Sequence, residues 1–132
     1  MSTPSALGVI VADDDADIRT LVAIAVSRSG LALIDELGDG DAAWEAIQTF
    51  TPEIVVLDVS MPGKSGLELC RLIRADEFLK STWVILLSAG VDNDAREAGI
   101  AAGADEFQPK PFSPRELSAR LSELANEASR RH

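Results

Sequence analysis

The chain has few of the residues that build covalent or metal cross-links. Its 132 residues include one cysteine, Cys70, and one histidine, His132. A single cysteine cannot form an internal disulfide, and one cysteine with one histidine cannot supply the four ligands of a structural zinc site. We interpret Cys70 as a buried helix residue and not as a nucleophile, because no histidine is available to activate it.

Long apolar runs and an excess of positive charge are also missing. No segment reaches the ~18 apolar residues of a membrane span. The opening residues MSTPSALG lack the basic and apolar parts of a secretory signal. We therefore expect no membrane association and a cytoplasmic location. The chain has 22 acidic and 12 basic residues, a net charge of −10, which disfavours nucleic acid as a direct partner and favours a protein or a cation.

What the chain does have is a regular alternation of short apolar runs and helical patterns. The helical segments carry apolar residues at helical spacing, such as Ala43, Ile47 and Phe50, and the last begins with a capping box at Ser113–Glu116. The apolar runs are GVIVA (8–12), LALID (31–35), EIVVLD (53–58), WVILLS (83–88) and ADEFQ (104–108). This alternation predicts an α/β fold, a doubly wound five-stranded parallel sheet of order 2-1-3-4-5 flanked by five helices, as in flavodoxin.

Polar residues stand where the predicted strands end. In a parallel sheet these ends share one edge, and the first and third strands are neighbours in this order. Asp14 and Asp58 are therefore expected to face each other. The residues at this edge are Asp13, Asp14 and Asp15 after the first strand, Asp58 at the third, Ser88 at the fourth and Lys110 after the fifth.

The chemistry of this edge follows from its charge. Clustered carboxylates without histidine form a hard-oxygen site that suits Mg²⁺, and a divalent ion would neutralise their repulsion. Lys110 could anchor a phosphoryl oxygen, and the Ser88 hydroxyl could bond to another. Metal, lysine and hydroxyl around one accessible carboxylate are the parts needed for phosphoryl transfer onto that carboxylate.

Four motifs at these strand ends resemble those of one family. They read VIVADDDADIR, EIVVLDVSMPGKSG, VILLSAG and GADEFQPKPF, in that order. Together they are similar to the receiver domains of bacterial two-component response regulators, from Val9 to about Asn126. The resemblance implies an N-terminal extension at 1–7, a receiver domain at 8–127 and a C-terminal tail at 128–132.

The resemblance also implies a role for each residue of the site. Asp58 corresponds to the phospho-accepting aspartate, and Lys110 to the site lysine, with a Lys110–Pro111 bond that the family usually keeps cis. Asp15 lies outside the acidic pair and is expected to start a helix. The remaining roles are Mg²⁺ binding by Asp13, Asp14, Asp58 and the Ser60 carbonyl, with Mn²⁺ as a second fitting ion, and switching by the Ser88 hydroxyl and the Phe107 ring.

A signalling function follows from the resemblance. The domain would accept a phosphoryl group from a sensor histidine kinase or a histidine phosphotransfer protein. It would then change the surface of its fourth helix, fifth strand and fifth helix for a downstream protein, a missing output domain or a phosphorylation-dependent homodimer. Its chemistry would be limited to its own phosphorylation and slow dephosphorylation, so it is not expected to be an enzyme. In the family, the positions of Ser60 and Gly90 tune the lifetime of the phosphoryl group.

Other interpretations of the same residues stay open at this point. The aspartates could form a solvated turn and helix cap, Ser88 and Phe107 could be ordinary strand residues, and Lys110 could be a surface lysine. An aspartyl phosphohydrolase similar to the haloacid dehalogenases would use the spacing of Asp13 and Asp15, but the chain is short for a substrate cap. A flavodoxin-like nucleotide binder would need phosphate donors where this chain has three carboxylates.

Overall fold

The computed structural model describes residues 7–89 and 93–131. Gly90, one of the two positions expected to tune the lifetime of the phosphoryl group, lies outside the described part. Strands and helices alternate along the chain. They are β1 (Gly8–Ala12), α1 (Ala16–Arg28), β2 (Ala32–Leu37), α2 (Gly40–Phe50), β3 (Ile54–Asp58), α3 (Gly66–Ala75), β4 (Trp83–Ser88), α4 (Asn93–Ala101), β5 (Glu106–Pro109) and α5 (Pro114–Arg131).

The strands form one sheet in which every neighbouring pair is parallel, in the order β2-β1-β3-β4-β5. This confirms the predicted fold class and strand order. β1 shows why its run is continuously apolar: Val9 and Val11 pack on one face with residues of α1 and α5. Ile10 and Ala12 pack on the other face with residues of α2 and α3. Both faces of the central strands are covered, so alternation with polar residues would bury unpaired groups.

The edges of the sheet differ from the sequence prediction. β2 begins and ends later than predicted, and β5 extends through Pro109, which pairs in register with Ser88. Proline is tolerated there because β5 is an edge strand and needs no donor on its outer side. The spacing predicts that Phe50 shares a helix face with Ala43 and Ile47; both of these are fully buried, whereas the Phe50 side chain is half exposed. It is the last residue of α2 and lines an open groove beside edge strand β2.

The helix termini explain where the loops turn. α1 ends at Arg28 with Ser29 as its C-cap, and Gly30 follows at φ +81, the left-handed conformation that glycine adopts without strain. α3 begins with a complete capping box in which Ser65 and Glu68 bond each other's backbone N–H. Within the described residues, no helix is both long and apolar enough to cross a bilayer.

Candidate functional site

Strand pairing brings three carboxylates together at the carboxyl edge of the sheet. β1 lies beside β3 with Ala12 opposite Leu57, so the residues that follow, Asp13 and Asp58, are neighbours. Oxygens of Asp13, Asp14 and Asp58 all lie within 4.8 Å of one another. Asp13 is completely buried and Asp58 is 5% exposed, whereas Asp14 is open to solvent. The predicted clustering of these acids is therefore present in the structure.

Lys110 enters this acidic cluster from the end of β5. Its Nζ lies 2.8 Å from Asp13 Oδ2 and 3.4 Å from Asp58 Oδ1. The contact with Asp13 is an ion pair with a completely buried carboxylate. A backbone hydrogen bond fixes the lysine, because its N–H donates to the Ser88 carbonyl at 2.6 Å. The Lys110–Pro111 peptide is cis. Lys110 is thus part of the site and not a free surface lysine.

The acidic cluster is short of positive charge. Burial raises the pKa of Asp58, and the nearby Asp13 carboxylate raises it further, while Lys110 and the Ser60 backbone N–H act in the opposite direction. Burial disfavours the Lys110 ammonium, but its contacts with Asp13 and Asp58 outweigh this, so the pKa of Lys110 is raised. Three carboxylates share one ammonium, which is a donor set that fits a small divalent cation.

The other predicted residues lie around this cluster in different environments. Ser88 ends β4 with 7% exposure, and exposed Ser60 follows β3 by two residues. Phe107 is half-buried in β5, packs against the core and lies near Gly99 of α4. Asp15 caps α1 by accepting from the N–H groups of Asp17 and Ile18, at 2.9 and 3.3 Å, which confirms that it starts the helix.

The sequence analysis did not single out Arg19, which also contacts the acidic cluster. Its Nη1 donates to the backbone carbonyl of Asp13 at 2.6 Å, and its Nε lies 3.6 Å from Glu36 Oε1. Arg19 therefore holds the backbone at the end of β1 without contacting a carboxylate of the cluster. Its position four residues after the helix cap at Asp15, one turn into α1, is the signal that could have indicated it.

Cys70 lies away from the site and is fully buried. Its Sγ is 3.3 Å from the Ala102 carbonyl, to which the thiol donates. Burial raises the pKa of the Cys70 thiol to about 11. The residue is therefore buried in a helix, as predicted, and is protonated at neutral pH.

Residues 9–122 match the family model described as the response regulator receiver domain. The chain belongs to this family. It is 37% identical over 113 residues to the phosphate regulon transcriptional regulatory protein PhoB of Pseudomonas aeruginosa, which covers 86% of this chain and 49% of that protein. It is 39% identical over 121 residues to the transcriptional regulatory protein ResD of Bacillus subtilis, covering 92% and 49%. The chain thus spans about half the length of these curated relatives.

Solved structures agree with the family assignment. The BeF3-activated receiver domain of DrrB, from Thermotoga maritima, superimposes with a TM-score of 0.81 at 32% identity, over 92% of this chain and 98% of that one. The chemotaxis response regulator CheY4 of Vibrio cholerae gives 0.82 at 26% identity, over 91% and 99%. The resemblance inferred from the four motifs is confirmed, and this chain is a signalling domain of the receiver type.

Proposed function

We propose that this receiver domain accepts a phosphoryl group on Asp58 in a Mg²⁺-dependent reaction. The observation that carries the proposal is the charge imbalance at the carboxyl edge, where Asp13, Asp14 and Asp58 face the ammonium of Lys110. A carboxylate that is nearly buried yet reached by a lysine is suited to attack phosphorus only when further positive charge is bound beside it.

In the proposed reaction a carboxylate oxygen of Asp58 forms a bond to phosphorus. The bond between phosphorus and the donor breaks, and the leaving group keeps the electron pair. The donor is a phosphohistidine of a sensor kinase or phosphotransfer protein, whose imidazole leaves, or a small acyl phosphate such as acetyl phosphate, which leaves as acetate. The product is an acyl phosphate on Asp58, and this covalent step needs no oxidant or reductant.

The cation would be held by the carboxylates of Asp13, Asp14 and Asp58 and by the backbone carbonyl of Ser60. When bound, Mg²⁺ or Mn²⁺ supplies neutralising charge to the phosphoryl oxygens. Lys110 is already 3.4 Å from an Asp58 oxygen and would pair with a second phosphoryl oxygen. The hydroxyl of Ser88, at the end of the adjacent strand β4, would donate to a third.

The signal would leave the site through β4 and β5. Ser88 pairs in register with Pro109, two residues beyond Phe107, so a movement of the hydroxyl acts on the strand that carries the aromatic ring. The proposed output is a change in the surface of α4, β5 and α5. Its readers would be a downstream protein, an output domain in a longer chain or a second copy of this domain.

An aspartyl phosphohydrolase is a poorer account of the same residues. In that chemistry an acid two residues after the nucleophile protonates the leaving group, which would assign Asp13 and Asp15 these roles. Asp15 instead uses its carboxylate to cap α1, and Asp13 is completely buried. We therefore assign the domain its own phosphorylation and slow dephosphorylation, with no separate substrate.

Intact-mass spectrometry tests the proposal directly. The protein is incubated with acetyl phosphate, with and without Mg²⁺, as wild type and as Asp58→Asn. We expect the mass of one phosphoryl group to be gained by wild type only when Mg²⁺ is present, and not by the variant. A gain of the same size in Asp58→Asn would place the acceptor elsewhere, and a gain that ignores Mg²⁺ would refute the role of the cation.

A further inference from the structure

We propose that the first turn of α2 is a positioning element for the metal site, because it fixes the loop that carries Ser60. This inference rests on the proposed function. The loop comprises residues 59–65, between Asp58 at the end of β3 and the start of α3. Its effect would be exerted by Gly40, which has no functional side chain and lies on a helix that supplies no ligand to the site.

Gly40 contacts the loop through its backbone. Its N–H donates to the Pro62 carbonyl at 2.9 Å, and its Cα packs so closely on Lys64 that a methyl group there would overlap the Lys64 backbone. An ion pair between Lys64 Nζ and Asp41 Oδ1, at 2.9 Å, spans the same contact. Because the obstacle is backbone and not a flexible side chain, any larger residue at Gly40 must displace the loop or the helix.

The other end of the loop is fixed from two directions. Val59 donates its N–H to the Leu87 carbonyl of β4 at 2.9 Å and accepts from the Gly66 N–H at 3.0 Å. Gly66 also packs directly on the backbone of Asp58, where a methyl group would overlap the carbonyl. Ser60 and Met61 are the residues between the fixed points at Val59 and Pro62.

This arrangement determines the direction of the Ser60 carbonyl. Ser60 and Met61 have little freedom to rotate a peptide plane while both neighbours are fixed. Loss of the Gly40 contact with Pro62 would therefore free the Ser60 carbonyl, which is expected to face the cation. The first turn of α2 would therefore set the affinity for Mg²⁺ although α2 supplies none of the proposed ligands. Groups that hold a metal ligand in place typically change affinity by roughly 10- to 100-fold when they are lost.

The test compares Gly40→Ala with Gly8→Ala. Gly8 is also buried, but it lies at the opposite end of β1, and a methyl group there meets the side chain of Ile34. At a temperature where circular dichroism shows every protein folded, calorimetry gives the Mg²⁺ dissociation constant. Hydrogen exchange of the peptide covering residues 59–65, in Mg²⁺-free buffer, gives a second readout that does not depend on phosphorylation.

We expect Gly40→Ala to raise the dissociation constant roughly tenfold or more and to speed exchange in the loop. Gly8→Ala should stay close to wild type in both. A Gly40→Ala protein with the wild-type constant and wild-type exchange overturns the inference while the proposed function stands. A wild-type protein that binds no Mg²⁺ overturns the proposed function, and the inference with it.

A second pair of variants covers the case in which Gly40→Ala does not fold. The carboxylate of Asp39 caps α2 by accepting from the Ala42 N–H at 2.8 Å. Asp39→Asn keeps a good cap and removes the charge, whereas Asp39→Ala removes both. A weaker affinity for Mg²⁺ in Asp39→Ala than in Asp39→Asn supports the inference, and equal affinities refute it.

Discussion

Two clusters of charged side chains occupy opposite edges of the sheet, and they differ in whether the protein balances its own charge. At the amino edge, Arg74 of α3 pairs with Asp105, which precedes β5, at 2.7 Å. The Arg74 guanidinium also donates to backbone carbonyls of Gly103, Thr82 and Lys80, at 2.8, 2.6 and 3.1 Å. The Asp105 carboxylate in turn accepts from the Val84 N–H at 2.9 Å.

At the carboxyl edge, negative charges outnumber the positive charges that the described residues place beside them. Lys110 is shared between Asp13 and Asp58, Asp14 adds a third carboxylate, and Asp13 Oδ2 is completely buried without a directed hydrogen bond. Both edges hold partly or fully buried charge. The Arg74 pair is complete without a ligand, whereas in the acidic cluster three carboxylates share the ammonium of Lys110. Charge balance, and not burial alone, therefore separates a structural ion pair from a candidate binding site.

Removing Arg74 from the cluster at the amino edge should have the largest effect on the free energy of unfolding. Arg74→Met removes the ion pair with Asp105 and the hydrogen bonds to three carbonyls, so we expect the free energy of unfolding to fall by about 3 kcal/mol. Urea denaturation measures the change. Arg71→Met, at an exposed position on the same helix, is the matched control and should stay within about 0.5 kcal/mol of wild type. Equal losses in the two variants would contradict the description of Arg74 as the centre of this cluster.

Cys70 is a buried titratable group near this cluster, and the effect of burial on its pKa outweighs the opposing charge of Arg74. Burial raises the pKa of the thiol from 9.0 to about 11, so the unfolded chain releases this proton first as the pH rises. Ionisation of the thiol therefore leaves the free energy of unfolding unchanged below pH 9.0 and lowers it as the pH rises towards about 11. The loss should be on the order of 1 kcal/mol near pH 10.

Urea denaturation at several pH values between neutral and strongly alkaline measures this loss. Cys70→Ala lacks the titrating group, so its stability should fall less steeply than that of wild type over the same interval. Parallel curves for the two proteins would show that the thiol does not ionise with the raised pKa.

Removing a negative charge from the acidic cluster should raise the free energy of unfolding, by less than the loss of Arg74 lowers it. Because the pKa of Asp58 is raised above its ordinary value of 3.8, the folded protein binds this proton more tightly than the unfolded chain. Without Mg²⁺, the free energy of unfolding therefore falls as the pH rises from 3.8 towards the raised pKa of Asp58. Asp58→Asn avoids the loss, so at neutral pH it should be more stable than wild type in Mg²⁺-free buffer.

The matched control for this change is Glu77→Gln, which removes one negative charge at an exposed position outside the site. It should leave the unfolding free energy close to that of wild type in the same denaturation experiment. An Asp58→Asn protein less stable than wild type would mean that the acidic cluster is not under electrostatic stress.

The sequence was informative about the acidic cluster because strand order alone brings its residues together. Asp13, Asp58 and Ser88 each follow or end an apolar run, so the sheet order places them at one edge without any knowledge of side-chain packing. Arg74 and Asp105 could not be paired in this way. Their contact depends on a long side chain crossing from α3 to the loop before β5, and no periodicity in the sequence encodes such a crossing.

Errors at the edges of the sheet have a similar cause. Phe50 lies at helical spacing from Ile47, but the edge strand β2 leaves its side of α2 open. Whether an apolar residue is covered depends on how far the neighbouring layer extends. Arg19 was missed because it acts on a backbone carbonyl, which any residue at position 13 would provide.

A Mg²⁺ titration of the unfolding free energy tests most directly whether the acidic cluster requires a cation. A ligand that binds only the folded state raises stability as its concentration exceeds the dissociation constant. We predict a saturable rise for wild type and for Glu77→Gln, and none over the same range for Asp13→Asn, which lacks the completely buried carboxylate. A wild-type protein that Mg²⁺ does not stabilise, or an Asp13→Asn protein stabilised as much as wild type, would contradict the account.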